Sequence, residues 1–127
     1  MPWKKRPGMK PVTRKTVELD AASMPVGRLA SRIAMILMGK HKADYEPNKD
    51  TGDRVLVKNL KNLIFTGKKW DQKKYFRTSN RPGGLKETQV KDLREEKPEL
   101  IIKHAVQYML PKNKTQALRM KRITFEK

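Results

Sequence analysis

The chain has 127 residues, of which 36% are hydrophobic, so it can form one domain around one modest core. Its 31 Lys and Arg residues outnumber 13 Asp and Glu, and the net charge of +18 predicts a polyanionic partner, with nucleic acid as the first candidate. The absence of cysteine excludes disulfides, thiol catalysis and cysteine-bound metals, and no apolar run reaches the roughly 20 residues that span a membrane.

The first 14 residues are predicted to form a basic amino-terminal arm, and residues 15–127 are predicted to form a single domain. Three prolines and the lack of periodicity argue against a helix or a central strand in the arm. Two compatible interpretations stay open. The arm is a tail that is disordered in the free protein, or it becomes ordered on RNA, with Trp3 stacking on a base.

The next elements alternate between strand and helix. Polar and apolar residues alternate over 15–19 and predict a strand, and apolar residues at helical spacing predict a helix from Val26 that ends at Gly39. Further strands are predicted at 54–58 and 63–66. Because strands and helices alternate, we expect a parallel sheet covered on both faces.

The most basic interior segment, 68–81, interleaves cations with Trp70, Tyr75 and Phe76. This pattern favours phosphate contacts together with stacking on bases or riboses. The alternative is that the three aromatic side chains pack on the core and leave the lysines solvated. The following Pro82-Gly83-Gly84 predicts a turn at which the backbone can approach a phosphate closely.

The carboxyl-terminal third predicts a broken helix and a short strand. A second helix is expected from near Thr88 to Met109, with a kink or a break at Pro98. We expect residues 112–122 to form a basic loop that is partly helical. We expect residues 123–125 to form the last strand.

The positive charge is concentrated in three segments. Residues 1–16 carry six positive and no negative charges, residues 58–81 have a net charge of +7, and residues 110–127 have a net charge of +5. The segments between them, 17–57 and 82–109, are neutral. A charge that served only solubility would be spread more evenly, so this distribution favours a binding surface.

Catalytic motifs are absent from the sequence. There is no glycine-rich phosphate loop, and His41 and His104 lack partners at metal-ligand spacing. Asp44, Asp50 and Asp53 cluster, which suits a hydrolytic pair or a magnesium site, but turn formation and capping are the more common roles of such residues. We therefore expect no catalytic residue, no metal and no cofactor. The alternative is a magnesium-dependent nucleotide- or RNA-processing enzyme on a Rossmann-like scaffold.

Seven short motifs, in their order along the chain, resemble the universal large-ribosomal-subunit protein L-thirteen family in its bacterial-type form. They are Val26-Gly27-Arg28-Leu29-Ala30-Ser31, Gly39-Lys40-His41-Lys42, Tyr45-x-Pro47, Asp50-Thr51-Gly52-Asp53, Thr66-Gly67-x-Lys69, Pro82-Gly83-Gly84-Leu85-Lys86 and Met109-Leu110-Pro111-Lys112. The resemblance runs from about Val17 to Phe125. It implies a three-layer α/β/α fold with a small, mostly parallel four-stranded sheet of order 3-2-1-4, the last strand lying beside the first.

The resemblance also implies a role without catalysis, namely binding large-subunit rRNA and supporting subunit assembly and translation. The implied partners are rRNA and neighbouring ribosomal proteins, with no membrane and no small-molecule substrate. The implied location is a bacterial-type cytoplasmic ribosome, with an organellar ribosome as the alternative. The motifs imply rRNA contacts at Lys40, His41, Lys42, Lys69, Gly83, Gly84, Lys86 and Lys112. The charge distribution adds Lys68, Lys73, Lys74, Arg77, Arg81 and Lys114, together with Trp3, Lys4, Lys5 and Arg6 of the arm.

Overall fold

A computed structural model describes residues 12–126, which form a mixed α/β fold. The elements are β1 (Thr16–Asp20), α1 (Val26–Met38), β2 (Arg54–Lys58), α2 (Lys69–Gln72), β3 (Lys74–Thr78), β4 (Leu85–Gln89), α3 (Val90–Glu96), α4 (Pro98–Met109), α5 (Thr115–Met120) and β5 (Ile123–Phe125). The arm residues Trp3, Lys4, Lys5 and Arg6 lie outside the described part of the chain. The division into an arm and a single domain therefore stays a prediction.

The helices follow the sequence signals closely. α1 begins directly after Pro25 and ends at Gly39, which has the left-handed conformation (φ 82°) that closes many helices. Lys97 leaves the helical region (φ −147°, ψ 73°) and Pro98 starts α4, so the predicted break is confirmed. α5 confirms that the segment 112–122 is partly helical. No helix within residues 12–126 is long and apolar enough to cross a membrane.

The main sheet is parallel, in the order β1-β2-β5. Val55 lies opposite Val17 on one side and Ile123 on the other, so these three side chains share a face, where Val55 and Ile123 are buried. The other face carries exposed side chains such as Glu18 and Thr124. The sheet is therefore apolar on one face and polar on the other.

The helices lie on the apolar face. α1 connects β1 to β2, and α3, α4 and α5 lie between β2 and β5. The connection from β1 to β2 and the connection from β2 to β5 both lead to the next strand on the same side of the sheet. Crossover connections between parallel strands are right-handed, so the helices of both connections lie on the same face. α1 and α4 pack against each other there, and Leu29, Ile33 and Ile101 are fully buried. This interlayer core positions the carboxyl end of α1 beside the start of β2.

Three features of the predicted architecture are wrong. The segment 63–66 is not a strand, because its backbone pairs only at an isolated bridge between Ile64 and Pro25 before the chain turns at Gly67 (φ 66°). The last strand lies beside β2 and not beside the first strand, so the order 3-2-1-4 does not occur. The described residues also form two layers rather than three, because both connections place their helices on the same face.

A two-stranded antiparallel hairpin, β3 with β4, lies outside the main sheet. No sequence pattern predicts these strands, because polar side chains occur on both faces and the apolar–polar alternation is weak. Every residue of β4 is exposed, and in β3 only Tyr75 is half-buried. The hairpin thus presents most of the basic segment 68–81 to solvent.

Candidate nucleic-acid interface

The loop over residues 50–53 closes the carboxyl end of α1. The backbone N–H groups of Gly39 and Asp53 both donate to the Ile36 carbonyl, each at 3.1 Å. A Cβ on Gly52 would overlap the Leu37 carbonyl oxygen, so only glycine lets the loop pass this close to the helix. The loop therefore adds a second donor to a carbonyl at the end of the helix, and this bond fixes the loop against the helix.

Asp53 is the buried centre of an ionic cluster beside this loop. Its side chain is 2% exposed, with Lys42 Nζ 2.6 Å from Oδ1 and His41 Nε2 2.8 Å from Oδ2. The Lys15 backbone N–H also donates to Oδ1, at 3.1 Å. These contacts join the residue before β1, the exit of α1 and the start of β2.

The electrostatics of this cluster favour the ionised carboxylate. Burial raises the pKa of the Asp53 carboxyl. Hydrogen bonds from Lys42, from the Lys15 N–H and from His41, together with the charge of Lys42, outweigh burial and hold that pKa below its usual value of 3.8. Asp53 is therefore a fixed negative charge at neutral pH.

Asp50 is surrounded by three arginines from distant parts of the chain. Arg122 Nη2 lies 2.7 Å from Oδ1, Arg119 Nε lies 3.5 Å from the same oxygen, and Arg14 Nη2 lies 3.7 Å from Oδ2. Both loop carboxylates are thus engaged by cations, which favours the structural interpretation of the Asp50-Thr51-Gly52-Asp53 motif over a hydrolytic pair. Within residues 12–126, no group of three or more His, Asp or Glu side chains is placed to hold a metal ion.

The three basic residues after α1 are not equivalent. The Lys42 ammonium donates to the Asp53 carboxylate, to the Thr51 carbonyl at 2.9 Å and to the Thr13 carbonyl at 3.3 Å, which uses all three of its N–H groups inside the protein. His41 is held by the same carboxylate. Lys40 is exposed. Of these three candidates, Lys40 has the side chain most accessible to a phosphate.

The hairpin gathers the largest group of predicted contacts. Arg77 of β3 lies directly opposite Lys86 of β4, and both are exposed. Lys74 forms an ion pair with Glu87 at 2.9 Å. Arg81 is exposed in the turn that joins the strands. Five predicted contacts, Lys74, Arg77, Arg81, Gly83 and Lys86, are therefore exposed on one projecting element.

The three aromatic residues of the basic segment differ in their surroundings. The rings of Trp70 and Phe65 pack edge-on, at 4.7 Å between centroids, and the Arg94 guanidinium carbon lies 4.5 Å from the centroid of the Trp70 ring. Tyr75 stacks on His104 at 4.8 Å, and burial, followed by the nearby Tyr108, raises its pKa. Packing on the domain is thus the role of these two rings, whereas Phe76 projects into solvent.

The turn of the hairpin depends on two glycines. The Ser79 N–H donates to the Gly84 carbonyl at 2.9 Å, and the Gly84 N–H donates to the Arg81 carbonyl at 3.1 Å. Gly83 has a left-handed conformation (φ 74°) in open space, whereas a Cβ on Gly84 would overlap the Ser79 hydroxyl. The predicted turn at Pro82-Gly83-Gly84 is confirmed, and its backbone is accessible at Gly83.

Gly83→Ala is expected to open this turn more often, because a Cβ in the left-handed region costs about 1 kcal/mol. A cost of this size makes the open turn roughly fivefold more populated. Hydrogen exchange of the Ser79 and Gly84 amides, measured by NMR, should accelerate by the same factor. Gly27→Ala is the control, since Gly27 also has open space around its Cβ position but no positive φ. Unchanged exchange in Gly83→Ala would contradict the strain argument.

A second basic surface lines an open groove of about 800 Å³ between the start of α1 and the end of α4. Lys69 and Lys73, both predicted contacts, line it together with Arg28 and Tyr108. Lys68 is exposed at the start of α2. The remaining predicted contacts in the described part, Lys112 and Lys114, are exposed between α4 and α5. They are separate in sequence from the hairpin.

Several residues of the site are not identifiable from the sequence. Arg14, Arg119 and Arg122 bind the loop carboxylate of Asp50, yet they are separated from it by 36 to 72 residues. Arg28 joins Lys69 and Lys73 only because α1 packs beside the segment after β2. No local pattern marks such residues, since tertiary packing alone brings them together.

Comparison with known proteins places these features in one family. The family model described as "Ribosomal protein L13" matches residues 14–125. The "Large ribosomal subunit protein uL13" of Desulfitobacterium hafniense is 51% identical over 106 residues, which cover 84% of this chain and 74% of that protein. The protein of the same name from Thermoanaerobacter sp. is 50% identical over 112 residues (88% and 78%), and that of Thermotoga petrophila is 49% identical over 112 residues (88% and 75%).

Proposed function

This chain belongs to the ribosomal protein L13 family, whose members are structural ribosomal proteins and not enzymes, and we propose that it binds large-subunit rRNA mainly through its basic hairpin. In this role it supports assembly of the large subunit and thereby translation. The alternative of a magnesium-dependent enzyme is set aside by family membership, and the cations around Asp50 and Asp53 agree with that conclusion.

The cross-strand pair Arg77–Lys86 is the observation that carries this proposal. Like charges directly opposite each other destabilise a two-stranded hairpin, so this pair does not serve the stability of the free protein. Glu87, the acid next to Lys86 in the chain, already forms an ion pair with Lys74. A polyanion that contacts both cations removes their repulsion and releases its own counterions, which makes binding favourable.

Besides Arg77, the contacts that we propose in the described part of the chain lie both on the hairpin and on other parts of the surface. They are Lys40, Lys68, Lys69, Lys73, Lys74, Arg81, Gly83, Gly84, Lys86, Lys112 and Lys114. His41 and Lys42 contribute by holding the loop beside Lys40, since both are bonded to Asp53. The arm residues Trp3, Lys4, Lys5 and Arg6 are proposed to add phosphate and stacking contacts.

The proposed partners are large-subunit rRNA and neighbouring ribosomal proteins of a bacterial-type ribosome. The high identity to three bacterial proteins named as large-subunit components supports this setting. The uneven distribution of charge along the chain supports rRNA as the partner with the larger contact surface.

Sedimentation of a cell lysate on sucrose gradients, at moderate and at high salt, tests the proposal directly. We expect the chain to migrate with the large subunit at both salt concentrations, because an integral component is also held by contacts that do not depend on counterion release, whereas a basic protein held by phosphate contacts alone is released as the salt concentration rises. Purified free chain, run on a parallel gradient, is the control for aggregation. A chain found only at the top of the gradient would overturn the proposal.

A further inference from the structure

The two faces of the hairpin have different chemistry. Tyr75 marks the inner face, because its ring stacks on His104 of α4. The register places Phe76 opposite Glu87 and Leu85 opposite Thr78, so these four side chains point away from the domain on the outer face. Arg77 and Lys86 lie on the same face as Tyr75, nearer the tip, and so do not contribute to the outer face.

Two large apolar side chains are neighbours on the outer face. Phe76 is 60% exposed and Leu85 is 54% exposed. They are diagonal neighbours across the two strands, a relation within reach of an aromatic side chain. Within the described residues nothing covers them, and in a two-stranded hairpin they add no core. Their exposure is therefore unexplained by the stability of the free protein.

The charges around Phe76 and Leu85 indicate what kind of ligand can bind to these two side chains. On the outer face, Lys74 neutralises Glu87 through their 2.9 Å ion pair, so the surface around Phe76 is close to neutral. Cations without an ion-pair partner among residues 12–126 lie nearby in the same hairpin, Arg77 and Lys86 on the inner face near the tip and Arg81 in the turn. A flat apolar ring on a neutral surface, in the same hairpin as cations that suit phosphates, has the features that bind a nucleobase within a phosphate-linked chain.

We propose that Phe76, with Leu85 beside it, is a stacking platform for an unpaired base of the bound RNA. This proposal rests on the proposed rRNA-binding function and specifies what the outer face of the hairpin contacts. Trp70 and Tyr75 are not available for this task, because their rings are already packed. The base must be unpaired, since a base within a duplex has no free face to offer.

The small size of the surface also favours a base over a protein. One aromatic side chain buries about 150–250 Å², whereas a specific protein interface requires roughly 1,000 Å² or more. Two apolar side chains with charged neighbours suit one planar ring. The strong positive charge of the segment 58–81, +7, also complements RNA better than an average protein surface.

Binding measurements with the full chain test the platform. The probes are a large-subunit rRNA transcript, a mixed-sequence single-stranded RNA oligonucleotide and a fully paired duplex of equal length. Phe76→Ala should weaken binding to the first two probes by about 5- to 150-fold, the equivalent of one stacked base, and leave binding to the duplex unchanged. Phe76→Trp should retain affinity. The slope of log K against log salt should not change, because no charge is removed.

Two control variants make the result specific. Leu118→Ala removes an apolar side chain of similar exposure, 57%, on α5, and should leave affinity unchanged. Phe76→Leu keeps apolar area but removes the aromatic face, and should bind nearly as weakly as Phe76→Ala. Full affinity of Phe76→Leu, or an equal loss in Leu118→Ala, would overturn the platform.

The platform and the proposed function can fail separately. If Phe76→Ala binds RNA normally while charge reversal at Arg77 and Lys86 weakens binding, the platform is overturned and the rRNA-binding function stands. If neither change affects binding, both are overturned. If Phe76→Ala binds rRNA normally but fails to enter the large subunit, the outer face contacts a protein, which also overturns the platform.

Discussion

Replacing Asp53 by alanine is expected to lower the free energy of unfolding by about 2–3 kcal/mol and the Tm by roughly 10 °C. Removing one partner of a buried ion pair typically costs about 3–5 kcal/mol, because the other charge is left without compensation. Here the loss should be smaller, since the side chains of Lys42 and His41 are 24% and 37% exposed and can regain water. Thermal and urea unfolding of the two proteins measure the difference.

Glu46→Ala is the matched control, because Glu46 forms an ion pair with Lys49 that is largely exposed. Such surface pairs contribute between about 0 and 1 kcal/mol, so this variant should unfold almost like the wild type. Equal losses in the two variants would show that Asp53 is an ordinary surface acid and that the buried cluster does not stabilise the domain.

The pH dependence of Asp53→Asn provides a second readout of the same cluster. The pKa of Asp53 in the folded protein lies below 3.8, so its ionised form contributes stability that is fully present above that pH. This contribution is lost as the pH falls through the lower pKa of the folded state. The stability difference between wild type and Asp53→Asn should therefore shrink as the pH falls below 3.8. If the stability difference instead grows as the pH falls below 3.8, the pKa of Asp53 is raised by folding and not lowered.

Reversing both cross-strand cations, Arg77→Glu with Lys86→Glu, is expected to weaken binding to large-subunit rRNA on the order of 100-fold at moderate salt. Two charge-assisted contacts are lost, each with a value of about 1.5–3 kcal/mol before solvent screening, and two repulsive charges are added. The logarithm of the RNA-binding constant should depend less steeply on the logarithm of the salt concentration. The magnitude of this negative slope should decrease by between about one and two, because two phosphates are no longer neutralised. Filter binding at several salt concentrations measures both quantities.

Stability of the free protein separates this effect from misfolding. In the double variant like charges still face each other, so its Tm should equal that of the wild type. Lys86→Glu alone places a carboxylate opposite Arg77 and should keep or raise the Tm while still weakening RNA binding. Lys91→Glu with Lys97→Glu, on and just after α3, is the control for net charge. If the control variant loses as much affinity for RNA as the hairpin variant, the hairpin is not the main RNA-binding element.

The same reversal at Lys42 does not test RNA binding cleanly. The sequence places Lys40, His41 and Lys42 in one basic motif, which predicts three equivalent contacts. In the structure Lys42 has all its donors engaged within the protein, so Lys42→Glu would disrupt the cluster around Asp53. A change at Lys40 alone avoids this problem, because that side chain is exposed and has no resolved partner among the described residues.

Signals that depend on near neighbours in the chain predicted the structure well. The limits of α1, the helix break at Pro98 and the turn at Gly83 follow from side-chain spacing, from the missing proline N–H and from the freedom of glycine. The positions of β1, β2 and β5 follow from short apolar or alternating segments. Each of these features is decided within a few residues, so composition and spacing suffice.

Signals that concern pairing between distant segments were less informative. The apolar segment 63–66 resembles a strand, but whether it pairs depends on a partner edge that only the assembled sheet can offer. β3 and β4 show the reverse case, because a solvated ribbon needs no apolar face and so leaves no periodic pattern. Sheet order and the number of layers depend on the direction of successive connections, which side-chain spacing does not encode.

The sequence by itself identified the family and predicted a polyanionic partner. Net charge, its concentration in three segments and seven ordered motifs depend only on which residues are present and in what order. Only the tertiary structure decided which of the basic residues serve the fold and which are left exposed to solvent. Lys42 is engaged by a buried carboxylate, whereas Arg77 and Lys86 face each other in solvent. The physical reason is that a cation's role depends on the charges nearest to it in space, and those charges come from segments far apart in the chain.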